Sequence, residues 1–168
     1  LVPQPAGRIV GGRILLDGEN LLEKTQAEMQ EVRGRKVCMI LQDPMTSLNP
    51  VYTVGEQVVE TLRMRTGSRL GDLKERGIDL LNRVKISSAA ERMGSFPHQM
   101  SGGMNQRVVG AIALAGGPKV LIADEATTSL DATIQYQYLQ LLRDLQADTG
   151  LSIIFITHDF GIVAHMCT

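Results

Sequence analysis

The sequence is short of several things, and each shortage removes a class of protein. It has two cysteines in 168 residues, Cys38 and Cys167. They are far apart and fit no zinc or redox spacing, so a disulfide scaffold is excluded and a reducing compartment is the natural reading. Neither charge sign dominates. The formal net charge is −1, which leaves no global electrostatic case for nucleic acid or an anionic membrane. Long apolar runs are missing too: each has strand length or lies along one helix, and none would span a bilayer. The opening Leu-Val-Pro-Gln-Pro-Ala-Gly has no starting Met and no basic region followed by an apolar one. It excludes a signal peptide and reads as the interior of a longer chain. What is present is globular: 43% of residues are hydrophobic, enough for one domain with a sizeable core.

The pattern along the chain is of strands separated by helices. Residues 8–16 alternate and lead into the turn pair Asp17-Gly18, predicting a strand pair or an edge strand. Thr25-x-x-Glu28 is a capping box opening a helix to about Val32. Lys36–Leu41 is a continuous apolar strand of the kind buried on both faces. A polar, proline-bracketed loop, 42–50, follows. Thr53-x-x-Glu56 caps a helix over about 54–65, another lies near 72–84, and Ser88-x-x-Glu91 caps a short third. This block has no strand pattern, so 54–105 is expected to be a helical subdomain inserted into a sheet core formed by 1–53 and 106–168. An apolar helix at 103–115 is stopped by Gly116-Gly117-Pro118, and strand 119–123 follows it. Asp131 caps an amphipathic helix ended by Gly150, Ser152–Ile156 is a further buried strand, and a last helix begins after Asp159. The expected fold class is α/β with a mostly parallel sheet.

In such sheets ligands bind beyond the carboxyl ends of the strands. Three predicted strands end in polar groups: Gln42, Asp124-Glu125 and His158. The three ends are therefore expected to converge on one site. Two adjacent carboxylates at a buried strand end repel one another, and a divalent cation relieves that repulsion. Mg²⁺ suits the place, because it takes few carboxylates and keeps water and phosphate oxygens. Asp124 is the expected metal-side residue, with the Gln42 amide as a second candidate, and Glu125 the general base or water-orienting group. His158 could hydrogen-bond a terminal phosphate or hold Glu125. Ser101-Gly102-Gly103 opens a helix, where free N–H groups and the positive dipole end suit a phosphate. Each has a structural alternative when taken alone: an acidic turn, a satisfied strand-end amide or histidine, a simple cap. His98 and His165 read as a loop and a helix-surface residue, and the eight methionines as core filling, with Met45 at a possible contact surface. One expected partner of these groups is missing: no G-x-x-x-x-G-K-[ST] phosphate loop occurs in the sequence.

In order, these elements resemble the ATP-binding cassette (ABC) ATPases of membrane transporters, a family of P-loop NTPase-like fold. Gln42 matches the Q-loop, Ser101–Gln106 the signature motif, and Val120–Glu125 the Walker B strand. Ser129-Leu130-Asp131 matches the D-loop and His158 the switch histidine. Residues 42–50, 97–104 and 156–161 look like the branch of dipeptide, oligopeptide, glutathione and nickel importers. The resemblance implies ATP and Mg²⁺ as cofactors and ATP hydrolysis driving import. It implies a second ATPase domain, integral membrane permease subunits and a separate substrate-binding protein as partners, with no nucleic acid. The location implied is cytoplasmic, peripheral on the inner face of the cell membrane. Glu125 and His158 would be catalytic; Gln42, Ser101, Gly102, Gly103, Gln106 and Asp131 would face nucleotide, some of it held by the partner domain; Asp124 and Gln42 would face the metal. Against that pattern, the phosphate loop, the upstream adenine-stacking aromatic and the final strands are absent, so a fragment incomplete at both ends is expected. Ala126 replaces the usual Pro and Asn105 the usual Arg. Two alternatives stand beside the importer: a truncated, inactive nucleotide-binding module, and a non-transport ABC ATPase. The second would want coiled-coil heptads or a basic face, and neither is present.

Overall fold

In the computed structural model, which describes residues 7–42, 44–66, 70–128 and 130–167, three parallel strands form the central sheet. They are β3 (Val37–Ile40), β4 (Val120–Asp124) and β5 (Ser152–Ile156), in the order β3-β4-β5. Before them, β1 (Leu15–Leu16) and β2 (Glu19–Asn20) pair antiparallel around Asp17-Gly18, so the turn pair acts as expected but joins strands of two residues each. Helix α1 (Gln26–Val32) starts on the predicted capping box, with Thr25 and Glu28 bonded reciprocally. The 42–50 segment contains a short helix, α2 (Pro44–Ser47), rather than loop alone. Helices α3 (Val54–Thr66) and α4 (Leu70–Arg83) follow, and Thr53 and Glu56 form the second capping box. Before α5 (Ala89–Arg92) the expected box does not form. Ser88 is left-handed, with φ 51, and its side chain makes no cap bond; only its carbonyl receives Glu91 and Arg92 N–H. Helix α6 (Gly102–Leu114) precedes β4, α7 (Ala132–Thr149) links β4 to β5, and α8 (Phe160–Met166) follows β5.

Register separates the two faces of the sheet. Cys38, Leu121 and Ile153 align across the strands, as do Ile40, Ala123 and Phe155. These rows point into the core, where α6 packs against β3. One contiguous buried cluster runs from the sheet through α6 and α7 and on into α3 and α4. Arg65 fixes the junction at the C-terminal end of α6. Its guanidinium donates to the carbonyls of Ile112 and Ala113, both at 3.1 Å, where a cation also complements the helix dipole. A Cβ at Gly116 would overlap the Gly34 carbonyl, so the close approach of these segments requires glycine there.

The other rows change the expectation of strands buried on both faces. Met39, Ile122 and Ile154 align on the opposite side, and Met39 is 45% and Ile154 53% exposed. Leu41 and Ile156 are exposed as well. The apolar composition was read correctly, but among the described residues no helix covers this face. Composition reports what a face can pack against, whereas exposure depends on what is beside it.

Candidate functional site

The carboxyl ends of β3, β4 and β5 meet, as the strand-end argument requires. Gln42, just past β3, donates its Nε2 to Glu125 Oε2 at 2.7 Å. His158, just past β5, places Nδ1 3.2 Å from Glu125 Oε1. Residues 83 and 33 positions from Glu125 in sequence thus hold its two oxygens. A carboxylate only accepts hydrogen bonds, so this contact favours the His158 tautomer with the proton on Nδ1. Glu125 stands outside ordinary strand geometry: β4 ends at Asp124 and Glu125 has φ 46. A non-glycine residue in the left-handed region costs on the order of 1–3 kcal/mol and persists where its surroundings over-determine it. The Glu125 N–H is taken by the Ile156 carbonyl at 2.9 Å and its carbonyl by Thr128 N–H at 3.1 Å, and these bonds close the turn.

The Asp124 side chain makes no hydrogen bond or ion pair among the described residues, and it falls on the sheet row of Ile122, the open face. No group of three or more His, Cys, Asp or Glu side chains among the described residues could enclose a metal. With Gln42 Nε2 committed to Glu125, the Gln42 Oε1 remains as the acceptor that a cation would use.

A second cluster lies at the N-termini of α6 and α7. Ser101 caps α6, accepting Met104 N–H, and Asp131 caps α7, accepting Thr133 and Ile134 N–H at 3.1 and 3.0 Å. The two ends are close: a Cβ at Gly103 would lie 2.6 Å from Ile134 Cγ2. Gly102 has open space instead. The other D-loop residue named from sequence, Ser129, and the contact position Met45 fall outside the described side chains. Gln106 is placed otherwise than expected. It is fully buried, and its Nε2 donates to the Ala126 carbonyl at 2.6 Å, so it faces the core in this structure. The sequence signal was its position in the motif; the helical phase of α6 turns it inward. Asn105 is buried too and donates to the Pro97 carbonyl at 2.9 Å. His98 stacks on Phe96, with ring centroids 5.5 Å apart, and His165 lies against Gln140 and Tyr136. Neither shares a partner with the bonded triad.

The family profile described as ABC transporter matches residues 5–128. The chain belongs to the ABC transporter family. An oligopeptide transport ATP-binding protein of Bacillus subtilis (strain 168) is 51% identical over 166 residues, covering 99% of this chain and 46% of that protein. A dipeptide transport ATP-binding protein of Escherichia coli (strain K12) is 46% identical over 158 residues, covering 94% and 48%. The chain thus spans about half the length of the curated relatives it matches. Among solved structures, cbiO1 from Clostridium perfringens, part of the ABC transporter complex cbiONQ, is similar with a TM-score of 0.82 and 28% identity, covering 94% of this chain and 60% of that one. The dimeric ATP-binding cassette MJ0796 in a post-hydrolysis state with ADP and Pi gives 0.77 and 26%, covering 91% and 65%. The expected fold class is the one found. Among the described residues no helix of this ABC chain is long and apolar enough to cross a membrane.

Proposed function

We propose that the chain carries the hydrolytic and signature portions of an ATP-binding subunit that powers import of peptides or related small solutes. The observation that carries the reading is the bonded Gln42–Glu125–His158 set at the carboxyl ends of three parallel strands, within a chain of this family. Glu125, held at both oxygens yet 30% exposed, is positioned to orient or deprotonate a water, with His158 beside it. Asp124 and the Gln42 Oε1 would hold Mg²⁺, which when bound neutralises charge on the transferring phosphate oxygens. Ser101, Gly102 and Gly103 at the α6 N-terminus and Asp131 at the α7 N-terminus would face nucleotide held chiefly by a second ATPase domain.

The relatives' names support the peptide class. Membrane permease subunits and a separate substrate-binding protein are the remaining partners, with this subunit peripheral on the cytoplasmic face of the cell membrane. The exposed residues Val51 and Tyr52, between α2 and α3, lie where residues 54–105, as a helical subdomain, would meet a permease.

Binding of a fluorescent ATP analogue and steady-state phosphate release test this on two chains, the 168 residues alone and the same chain extended N-terminally through a G-x-x-x-x-G-K-[ST] segment. The extended chain is expected to bind and turn over ATP, and the 168 residues alone weakly or not at all, since backbone N–H groups and a lysine of that loop cradle the phosphates. In the extended chain Glu125→Gln should retain ATP and lower turnover by about 10²–10⁴-fold. Robust turnover by the 168 residues, or unchanged turnover by Glu125→Gln, would sink the assignment.

A further inference from the structure

We infer that Gln106 is a positioning residue, which through the Ala126 carbonyl holds Glu125 in its left-handed conformation and so keeps the Gln42–Glu125–His158 set assembled. The role of Glu125 as the reacting carboxylate rests on the function proposed above; the mechanical link from Gln106 does not.

Glu125 has φ 46, and the cost of that conformation must be met by its neighbours. Two of the bonds that meet it involve Glu125 itself, to Ile156 and Thr128. The third is to the next residue. The Glu125 N–H bond fixes the peptide plane before Glu125, and its carbonyl bond fixes the plane after it. The Gln106 Nε2 donation to Ala126 O at 2.6 Å fixes the next plane, the central peptide of the Glu125–Thr128 turn, and so holds the Thr128 N–H where it meets the Glu125 carbonyl. The bond is made in a dry place: Gln106 is 0% and Ala126 4% exposed, so no water substitutes for the amide.

Gln106 is itself held. It rides on α6 one helical turn after Gly103, and Gly103 is pressed against Ile134 of α7. On its other side lies Tyr138, buried, whose hydroxyl oxygen closes the space over Gly110. The amide commits its donor to the Ala126 carbonyl. The same helix that presents Ser101-Gly102-Gly103 at its start thus carries, one turn later, the group that sets the residue after Glu125. Displacement of the α6 N-terminus by whatever binds there would reach Glu125 through this single bond.

Nitrogen NMR of the imidazoles in the 168-residue chain tests the link without nucleotide or turnover. In the unaltered chain, His158 is expected to show the one-tautomer shift pattern of an Nδ1–H held by a carboxylate. Gln106→Met keeps volume and removes the donor. It should release Glu125 and move His158 to the averaged two-tautomer pattern, with His98 and His165 unmoved as internal controls. An unchanged His158 pattern in a folded Gln106→Met chain would overturn the inference. Should that chain not fold, the unaltered chain decides. Gln106 side-chain amide protons slow to exchange, with a through-hydrogen-bond coupling to the Ala126 carbonyl, are expected, and rapid exchange would overturn it. A chain that passes these tests, yet shows no ATP turnover when extended through a phosphate loop, would defeat the proposed function and leave the link standing.

Discussion

A methyl group added at Gly103 would approach Ile134 Cγ2 to 2.6 Å, and Ile134 is β-branched, so that methyl has no free rotation by which to retreat. Gly102, one residue earlier, has open space around the same atom. The two glycines of the signature therefore answer to different demands. Gly103→Ala is expected to cost about 1–3 kcal/mol of stability, the usual consequence of overpacking. Gly102→Ala, in a helix with room to spare, should be neutral or stabilise by up to about 1 kcal/mol. Ile134→Ala should recover most of the loss in the Gly103→Ala chain, because the two contacts are one contact. Urea unfolding of the four single and double variants measures this, and an additive double mutant would show that Ile134 is not what Gly103 accommodates. Folding thus explains Gly103 and not Gly102, which a reading of the motif as a unit could not separate.

Helix starts show which parts of the structure are written locally. Thr25-x-x-Glu28 and Thr53-x-x-Glu56 both form the reciprocal bonds that their spacing predicts. Each bond to Thr holds the glutamate carboxyl below its ordinary range, in Glu28 chiefly through the Thr25 hydroxyl and in Glu56 chiefly through the Thr53 N–H. A lowered folded-state pKa contributes stability that is present above the unfolded value and is lost as pH falls through the folded one. Glu56→Ala, which removes both bonds, is expected to lower Tm by a few degrees at neutral pH, with the gap from the unaltered chain narrowing below about pH 4.5, where Glu56 of the unaltered chain protonates. Melting curves across pH check the sign; a gap that widened in acid would contradict it. Ser88-x-x-Glu91 has the same letters and fails, because Lys85 and Ser88 are both left-handed in the connection from α4 and the Ser88 hydroxyl is aimed elsewhere. Caps, strand cores and the three polar strand ends were legible because they depend on neighbours within a few residues. The inward turn of Gln106 depends on the phase of α6 against β4 and α7, which no local pattern contains.

At the scale of the whole molecule the sheet is covered on one side only, among the described residues. Met39, Ile122 and Ile154 form an apolar row across all three strands, with Leu41 and Ile156 beyond it and Phe160, 86% exposed, after β5. Among the described residues β3 and β5 also end the strand order, β3 carrying one parallel bridge from Val37 to Arg33. An exposed apolar face beside open strand edge is a surface that associates unless something covers it. The net charge of −1 offers little repulsion to oppose that association. The 168-residue chain in dilute buffer is therefore expected to bind the dye ANS and to self-associate as its concentration rises. Met39→Thr with Ile154→Thr replaces the two exposed members of the row by residues that still favour strands. Exposed positions of this kind change stability by about 0.5 kcal/mol or less each, so Tm should barely move while ANS fluorescence and the apparent mass both fall. Sedimentation velocity and ANS titration of the two chains decide the matter. Equal dye binding and equal association would mean that the row is already covered in solution, and that the open face is not what governs the behaviour of the isolated chain.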